Sequence, residues 1–323
     1  MKPKVIVYKK IPEQVLKSIE ESCQVTYIEE LNDTTLSSFY EHLTEAEGII
    51  GNTLRIDSDL LNKAPKLKIV SNISVGYDNL DVNELTKRKI MATNTPKILN
   101  ETTADLIFSL LVATARRLPE LDKYVKDGKW DRLIGEDLFG VEIYGKTLGI
   151  IGLGGIGTAI AKRAHCGFDM KILYYNRSRN EEAELKYQAV YSTLEELLKE
   201  SDFVCLMTPL TPETVHLIGE REFKLMKKSA IFINGSRGKT VDEQALIKAL
   251  QSNTIRAAGL DVFTNEPVEK DNPLLKMNNV VTLPHLGSAT GETRFNMAKL
   301  AAENLVAGLT GQRPPSIINS EVL

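Results

Sequence analysis

The chain has 323 residues, 42% of them hydrophobic, and a formal net charge of −3 at pH 7. This length is sufficient for two domains with sizeable cores. The charge balance gives no electrostatic reason to expect a nucleic acid or an anionic membrane as a partner. The three cysteines include no Cys-x-x-Cys pair, and the N-terminus lacks an apolar stretch of signal-peptide length. We therefore expect a cytoplasmic protein with reduced thiols and no metal site.

The first hundred residues alternate short apolar runs with amphipathic helical patterns, and this alternation is typical of a parallel sheet covered by helices. Strands are predicted at Val5–Tyr8, Val25–Ile28, Gly48–Ile50 and Lys68–Ser71, and helices at Pro12–Ser22, Thr35–Leu43 and Asp81–Arg88. A last helix, Glu292–Leu309, precedes a short tail that is long enough to return to this sheet. We predict a flavodoxin-like domain made of residues 1–100 and 288–323.

A long apolar helix is predicted from Glu101 to about Arg117, followed by a polar arm with the only tryptophan, Trp130. Packing in a core or between subunits is the favoured role of this tryptophan, and a lid over the active site of a partner subunit is the alternative.

Residues 148–157 form an apolar strand that opens into the turn Gly152-x-Gly154-x-x-Gly157 and continues as a helix. In this context the glycines allow a tight turn, close approach of a pyrophosphate and packing of helix on strand. The free N–H groups of the helix start attract phosphate. The sequence therefore predicts a dinucleotide site within a Rossmann domain over residues 101–287.

The next strand, Lys171–Tyr175, ends in Asn176, Arg177, Ser178 and Arg179, and Asn176 lies 19 positions beyond Gly157. An NAD-binding protein places an acidic residue at about this offset, to grip the ribose. Two guanidinium groups and a hydroxyl would instead bind a 2′-phosphate. We therefore predict NADP(H), against the alternative of a solvated loop whose arginines contact nothing.

Four further strands are predicted in the second half of the chain, at Phe203–Met207, Ala230–Ile233, Arg256–Leu260 and Val280–Leu283. Arg237, Glu266 and His285 follow three of them. The carboxyl ends of parallel strands meet at one edge of a sheet, so these three side chains are expected close together. A guanidinium can grip a carboxylate and its neighbouring carbonyl, an imidazolium can protonate that carbonyl, and a carboxylate can orient the imidazole. This combination indicates reduction of a 2-keto acid by a nicotinamide cofactor.

Seven motifs together give the chain a specific resemblance. They are Ser74-Val-Gly-Tyr-Asp-Asn, Thr102-Thr-Ala-Asp-Leu, Gly152-Leu-Gly-Gly-Ile-Gly, Thr208-Pro-Leu-Thr-Pro-Glu-Thr, Asn234-Gly-Ser-Arg-Gly, Leu260-Asp-Val-Phe and His285-Leu-Gly-Ser-Ala-Thr. In their order and spacing, over essentially the full length, the chain resembles the D-isomer-specific 2-hydroxyacid dehydrogenases, and most closely the glyoxylate/hydroxypyruvate reductase branch.

This resemblance implies roles for individual residues. His285 would be the acid and base, Glu266 its partner and Arg237 the cation that orients the substrate. The backbone amides of Val75 and Gly76 would hold the substrate carboxylate. Gly154, Gly155 and Ile156 would line the pyrophosphate of the cofactor. The remaining cofactor contacts would come from Thr208, Ser236, Asp261 and Gly287.

The resemblance also implies glyoxylate and hydroxypyruvate as substrates, with 2-ketogluconate as a further candidate, and a homodimer formed through residues 101–144. The alternative function is a nucleotide-sensing binding protein, similar to a corepressor, on the same scaffold. Turnover distinguishes the two.

Overall fold

Two parallel sheets organise the chain, and the computed structural model describes residues 2–323. Each sheet belongs to a separate unit. The first unit comprises the residues up to Leu99 together with Ser288–Leu323, and the second comprises Asn100–Gly287. The predicted α/β fold with two parallel sheets is confirmed.

The strands, in chain order, are β1 (Lys4–Val7), β2 (Gln24–Tyr27), β3 (Gly48–Gly51), β4 (Ile69–Asn72), β5 (Met91–Thr93), β6 (Thr147–Ile151), β7 (Lys171–Tyr175), β8 (Val190–Tyr191), β9 (Phe203–Leu206), β10 (Ile231–Asn234), β11 (Ala257–Leu260) and β12 (Val280–Thr282). The helices are α1 (Glu13–Ser22), α2 (Leu36–Leu43), α3 (Ser58–Leu61), α4 (Val82–Lys87), α5 (Asn100–Ala115), α6 (Leu118–Lys126), α7 (Gly155–Phe168), α8 (Glu181–Tyr187), α9 (Leu194–Glu200), α10 (Glu220–Leu225), α11 (Glu243–Gln251) and α12 (Gly291–Leu309).

In the first unit the strand order is β2-β1-β3-β4-β5, and all neighbours pair in parallel. This is the flavodoxin-like order that the sequence predicts. Strands β3 and β4 are buried at every position, because helices cover both faces of the sheet. The C-terminal tail returns to this sheet, where the N–H of Ile318 donates to the carbonyl of Ala92 at 2.7 Å.

In the second unit the strand order is β12-β11-β10-β9-β6-β7-β8. Read from the other edge, the strands β8, β7, β6, β9, β10 and β11 have the Rossmann order 3-2-1-4-5-6. Strand β12 extends the sheet by one strand beyond β11. Apolar clusters fill both faces, one around Ile150 and Tyr174 and the other around Phe223 and Phe232. The order of strands reverses between β6 and β9, which is where open α/β sheets bind ligands.

The predicted strands and helices agree with the structure to within about two residues at each end, as is usual for boundaries. The sequence did not predict the short elements α3, β5 and β8. These have four, three and two residues, so no periodic pattern has room to develop in them.

The predicted arm consists of α6 and an irregular stretch that continues to Tyr144. Trp130 is 61% exposed, so in the described chain it does not lie in a core. Exposed apolar side chains surround it along the arm: Leu118, Val125, Leu133, Ile134, Phe139 and Tyr144. Among residues 2–323, no helix is both long enough and apolar enough to cross a membrane.

Candidate active site

The three predicted catalytic residues lie on one edge of the second unit's sheet. Strands β10, β11 and β12 are neighbours, and their last residues align in register, Asn234 with Leu260 and Leu260 with Thr282. Arg237, Glu266 and His285 all follow these aligned ends. The parallel pairing therefore places the three side chains at the same carboxyl edge, as the sequence predicts.

His285 and Glu266 form a hydrogen-bonded pair, with 2.7 Å between Nδ1 of the imidazole and Oε2 of the carboxylate. The other carboxylate oxygen, Oε1, accepts the backbone N–H of Phe263 at 3.0 Å. About half of the imidazole is solvent-exposed, at 46% of its side-chain surface. With Nδ1 engaged by Glu266, Nε2 is the nitrogen left for a substrate.

Glu266 is held ionised by its neighbours. Burial raises the pKa of its carboxyl, but the hydrogen bonds from His285 and Phe263 and the positive charges of His285 and Arg237 outweigh it, so the net shift is downward. An ionised carboxylate only accepts hydrogen bonds. It follows that Nδ1 carries the proton in this pair.

Asp261 supports the turn that carries His285. Its two carboxylate oxygens accept the backbone N–H groups of Leu286 at 2.7 Å and Gly287 at 3.0 Å, and its own carbonyl accepts the N–H of His285 at 2.9 Å. His285 has a φ of 55°, in the left-handed region that non-glycine residues rarely adopt. These three bonds hold the turn in that conformation. The sequence analysis had assigned Asp261 and Gly287 only to the cofactor.

Arg237 is half-buried, and Nη1 of its guanidinium donates to the carbonyl of Ser236 at 2.9 Å. Its charge contributes to the lowered pKa of Glu266, so the two side chains are electrostatically coupled. Gly238 makes this arrangement possible: any Cβ there would collide with the backbone of Phe263 and Thr264. The backbone after β10 thus packs directly on the segment that leads to Glu266.

The glycine-rich turn after β6 fits a dinucleotide. Gly152 has a φ of +101°, and a Cβ there would come within 2.7 Å of the Met207 backbone, so this position requires glycine. Around Gly154, by contrast, the space is open. Helix α7 begins at Gly155 without a side-chain cap, which leaves its first N–H groups for a phosphate. Ile156 is partly buried against the core.

The loop after β7 separates into supporting and exposed residues. Oδ1 of Asn176 accepts the N–H of Leu153 at 2.7 Å, so this side chain braces the glycine-rich turn. Asn180, which the sequence analysis missed, braces the same turn by donating to the carbonyl of Leu153 at 3.0 Å. The sequence contains an indication of this role, because an asparagine directly before a helical pattern is a favoured N-cap.

The two arginines of this loop differ in their surroundings. Arg179 makes a two-point ion pair with Glu184, with Nη2 to Oε2 at 2.7 Å and Nε to Oε1 at 3.0 Å. Arg177 is exposed, and no carboxylate among residues 2–323 pairs with it. Ser178 is exposed beside it. Arg177 and Ser178 are therefore the groups most accessible to a 2′-phosphate.

Thr208 and Ser236, both predicted near the cofactor, also differ. The hydroxyl of Thr208 is buried and has no hydrogen-bond partner within residues 2–323. A buried hydroxyl normally has one, so this group is suited to a ligand atom. The hydroxyl of Ser236 instead bonds to Oδ1 of Asn234 at 2.8 Å and to the hydroxyl of Thr240 at 2.9 Å. Its visible role is to hold the turn before Arg237.

The predicted carboxylate-binding residues, Val75 and Gly76, lie in the first unit, a few residues beyond β4. Their backbone N–H groups have no acceptor among the described residues. Two asparagines that the sequence analysis did not single out, Asn72 and Asn94, donate to the carbonyls of Gly76 and Val75.

Known proteins match more than half of the chain or nearly all of it. A family model described as D-isomer specific 2-hydroxyacid dehydrogenase, NAD binding domain, matches residues 108–287. A curated relative, glyoxylate/hydroxypyruvate reductase B of Enterobacter sp. (strain 638), is 52% identical over 322 residues, covering 100% of this chain and 99% of that protein.

Two solved structures cover almost the whole chain. A protein from Thermus thermophilus has a TM-score of 0.90 at 39% identity, covering 98% of this chain and 99% of that one. An NADPH-dependent glyoxylate/hydroxypyruvate reductase from Sinorhizobium meliloti, in complex with NADP and malonate, has a TM-score of 0.87 at 33% identity, covering 100% and 98%. The resemblance predicted from the motifs is confirmed.

Proposed function

Because the chain belongs to the D-isomer-specific 2-hydroxyacid dehydrogenase family, we propose that it reduces small 2-keto acids to D-2-hydroxy acids with NADPH. Glyoxylate and hydroxypyruvate are the proposed substrates, with 2-ketogluconate as a larger candidate. The observation that carries this proposal is the His285–Glu266 pair, 2.7 Å apart and coupled to the charge of Arg237 on one sheet edge.

Each charged group has one part in the proposed reaction. Arg237 presents a planar guanidinium, whose two donors can bind the substrate carboxylate and the neighbouring keto oxygen at the same time. In its protonated form, His285 gives the proton on Nε2 to the keto oxygen as the hydroxyl forms, while Glu266 accepts from Nδ1. Glu266 stays ionised and keeps the ring in one orientation throughout. In the reverse reaction the neutral Nε2 takes the hydroxyl proton back.

The residues of the second unit fit NADP(H). The turn Gly152–Gly157 and the uncapped start of α7 would hold the pyrophosphate, and Arg177 with Ser178 would hold the 2′-phosphate. The unpartnered hydroxyl of Thr208 would contact the cofactor as well. When bound, the reduced nicotinamide supplies the hydride that the keto carbon accepts.

The test is the decrease in NADPH absorbance with glyoxylate, hydroxypyruvate and 2-ketogluconate, each repeated with NADH. Oxidation of NADPH that is much faster than oxidation of NADH is the expected result, and the order of the three rates then defines the preferred substrate. If NADPH binds but none of the three acids is turned over, the proposal for these substrates is wrong and the nucleotide-sensing alternative is favoured.

We also propose that the protein is a cytoplasmic homodimer and that residues 101–144 form its interface. The support is the exposed apolar surface around Trp130 and the burial of Cys23 and Cys205, whose thiols are free. Monomeric proteins rarely expose so many neighbouring apolar side chains. Sedimentation of the wild type and of Trp130→Ala tests this proposal, because a dimeric wild type should become at least partly monomeric in the variant.

A further inference from the structure

The segment Ser74–Tyr77 follows β4 and leaves three consecutive backbone N–H groups without an acceptor. Among residues 2–323 no group accepts from the amides of Val75, Gly76 or Tyr77, although the segment is only partly exposed at Ser74–Gly76. Three adjacent unpaired N–H groups form a concave site for an anion when they point to the same side. Whether this segment can bind an anion therefore depends on the directions of these N–H groups.

Each carbonyl that precedes these amides is fixed by a hydrogen bond. The carbonyl of Ser74 accepts the N–H of Thr95 at 2.9 Å. The carbonyl of Val75 accepts Nδ2 of Asn94 at 2.8 Å, and the carbonyl of Gly76 accepts Nδ2 of Asn72 at 2.9 Å. All three carbonyls are thus held by groups within the first unit.

The direction of the amides follows from the planar trans peptide. In such a peptide the N–H points away from the preceding carbonyl, and the peptides of this segment are trans. The carbonyls of Ser74 and Val75 both face the segment Asn94–Thr95. The N–H groups of Val75 and Gly76 must therefore both face the opposite side. In an extended strand these two groups would point in opposite directions.

The side chain of Asn94 is itself anchored through its main chain. The carbonyl of Asn94 accepts Nδ2 of Asn304, in α12, at 3.1 Å and the hydroxyl of Ser316, in the tail, at 2.8 Å. Asn304 is fully buried, and its Oδ1 accepts the N–H of Ser316 at 2.9 Å. The C-terminal helix and tail thus hold Asn94 in place, and Asn94 in turn holds the peptide between Val75 and Gly76.

We propose that Asn94 is a positioning residue that holds the amide of Gly76, beside that of Val75, ready for a substrate carboxylate, and that Asn72 fixes the peptide that follows. This inference rests on the proposed function for the identity of the carboxylate. An asparagine amide suits this role because it donates to a carbonyl without adding a charge that would repel or neutralise the anion. A preformed set of donors requires no reorganisation when the anion binds.

The test compares Asn94→Ala with Asn319→Ala. Asn319 is a matched control because it is 1% exposed, lies in the same unit and donates from Nδ2 to a backbone carbonyl, that of Ile90, at 2.9 Å. Its side-chain hydrogen bonds go to Thr86, Ile90 and Ala92, and none goes to Ser74–Tyr77. Four quantities are measured: the Kd of oxamate, a 2-keto acid analogue that is not reduced; KM and kcat for glyoxylate; the Kd of NADPH; and the midpoint of thermal unfolding.

Asn94→Ala is expected to raise the Kd of oxamate and the KM for glyoxylate about tenfold, as for loss of one ordering hydrogen bond. Its kcat should fall by less than about threefold, because the bond acts on binding of the carboxylate and not on proton transfer. The Kd of NADPH should not change. Asn319→Ala should lower the thermal midpoint and leave oxamate binding unchanged.

Oxamate binding to Asn94→Ala with wild-type affinity would overturn the proposal, and so would an equal weakening in Asn319→Ala. If Asn94→Ala does not fold, the isosteric Asn94→Asp replaces it: its carboxylate cannot donate to Val75, and unchanged oxamate binding again overturns the proposal. A wild type that binds oxamate but turns over no 2-keto acid contradicts the proposed function, while the oxamate comparison still decides the role of Asn94. A wild type that does not bind oxamate overturns the inference itself.

Discussion

The carboxyl edges of the two parallel sheets present different chemistry. In the second unit the edge carries charged side chains, Arg237, Glu266 and His285, each coupled to the next by a hydrogen bond or by its charge. In the first unit the edge beyond β4 presents backbone N–H groups, and the side chains that hold them in place, Asn72 and Asn94, are neutral.

This difference separates groups that exchange protons from groups that only bind. Proton transfer needs a side chain whose charge changes, and a neighbour that stabilises one of its charge states. Binding of a carboxylate needs only donors of fixed direction, which a rigid backbone supplies. We therefore expect substitutions at the edge of the second unit to lower kcat, and substitutions that loosen the first unit's segment to raise KM.

The largest effect is expected for His285→Ala. Loss of the proton donor should lower kcat by about 10² to 10⁴. The Kd of NADPH should stay near the wild-type value, because the imidazole is bonded to Glu266 and not to the glycine-rich turn. Steady-state kinetics and a fluorescence titration measure the two quantities. A kcat within a factor of about three of the wild type would remove His285 from the proposed mechanism.

Arg237→Lys is expected to lower kcat/KM for glyoxylate by about 10², equivalent to one or two hydrogen bonds between charged groups. Lysine keeps the charge but loses the planar pair of donors, so the variant separates geometry from charge. Arg237→Gln, which loses the charge as well, is the companion variant and should be weaker still. Equal activity of the lysine variant and the wild type would contradict two-point recognition.

Glu266→Gln is expected to lower kcat by about tenfold at pH 7, because the charged imidazole loses its counter-ion. Because the pKa of Glu266 lies below that of an ordinary glutamate, its carboxylate remains ionised to a lower pH than a free glutamate, and its support of His285 is lost only as the pH falls through this lowered pKa. The kcat of the wild type should therefore fall in acidic solution as Glu266 becomes protonated, and the variant, whose amide does not titrate, should lack this decline. Identical pH profiles would show that Glu266 only orients the ring.

Substitutions in the loop after β7 are expected to act on cofactor binding, with the smallest effect of all for Arg179→Ala. Arg177→Ala should raise the Kd of NADPH about tenfold and leave that of NADH unchanged, since only NADPH carries the 2′-phosphate. Arg179→Ala should have a smaller effect, because Glu184 already pairs with this guanidinium. Equal losses for NADPH and NADH in Arg177→Ala would contradict the assignment of the 2′-phosphate site.

Much of the second unit was predictable because its signals are local. The Gly152–Gly157 turn, the strand before it and the helix after it are contiguous in the chain, and Gly152 shows the positive φ that such a turn requires. The strands β9 and β10 are apolar runs buried at every position. Parallel pairing then places the residues after each strand at one edge, so the grouping of Arg237, Glu266 and His285 followed from their positions after the strands.

The hydrogen bonds that polar side chains make with distant residues were not predictable in the same way. Asn94 contacts a residue 19 positions away, and this contact has no periodic or compositional signal. The short strand β5, which brings Asn94 beside Val75, forms because β4 and the returning tail pair with it. Local patterning in the amino-acid sequence was thus sufficient for the two sheets, the dinucleotide turn and the charged side chains of the site. The pairing of donors with backbone carbonyls depends on the register of the strands and on where the C-terminal tail packs. Contacts between distant segments of the chain determine both.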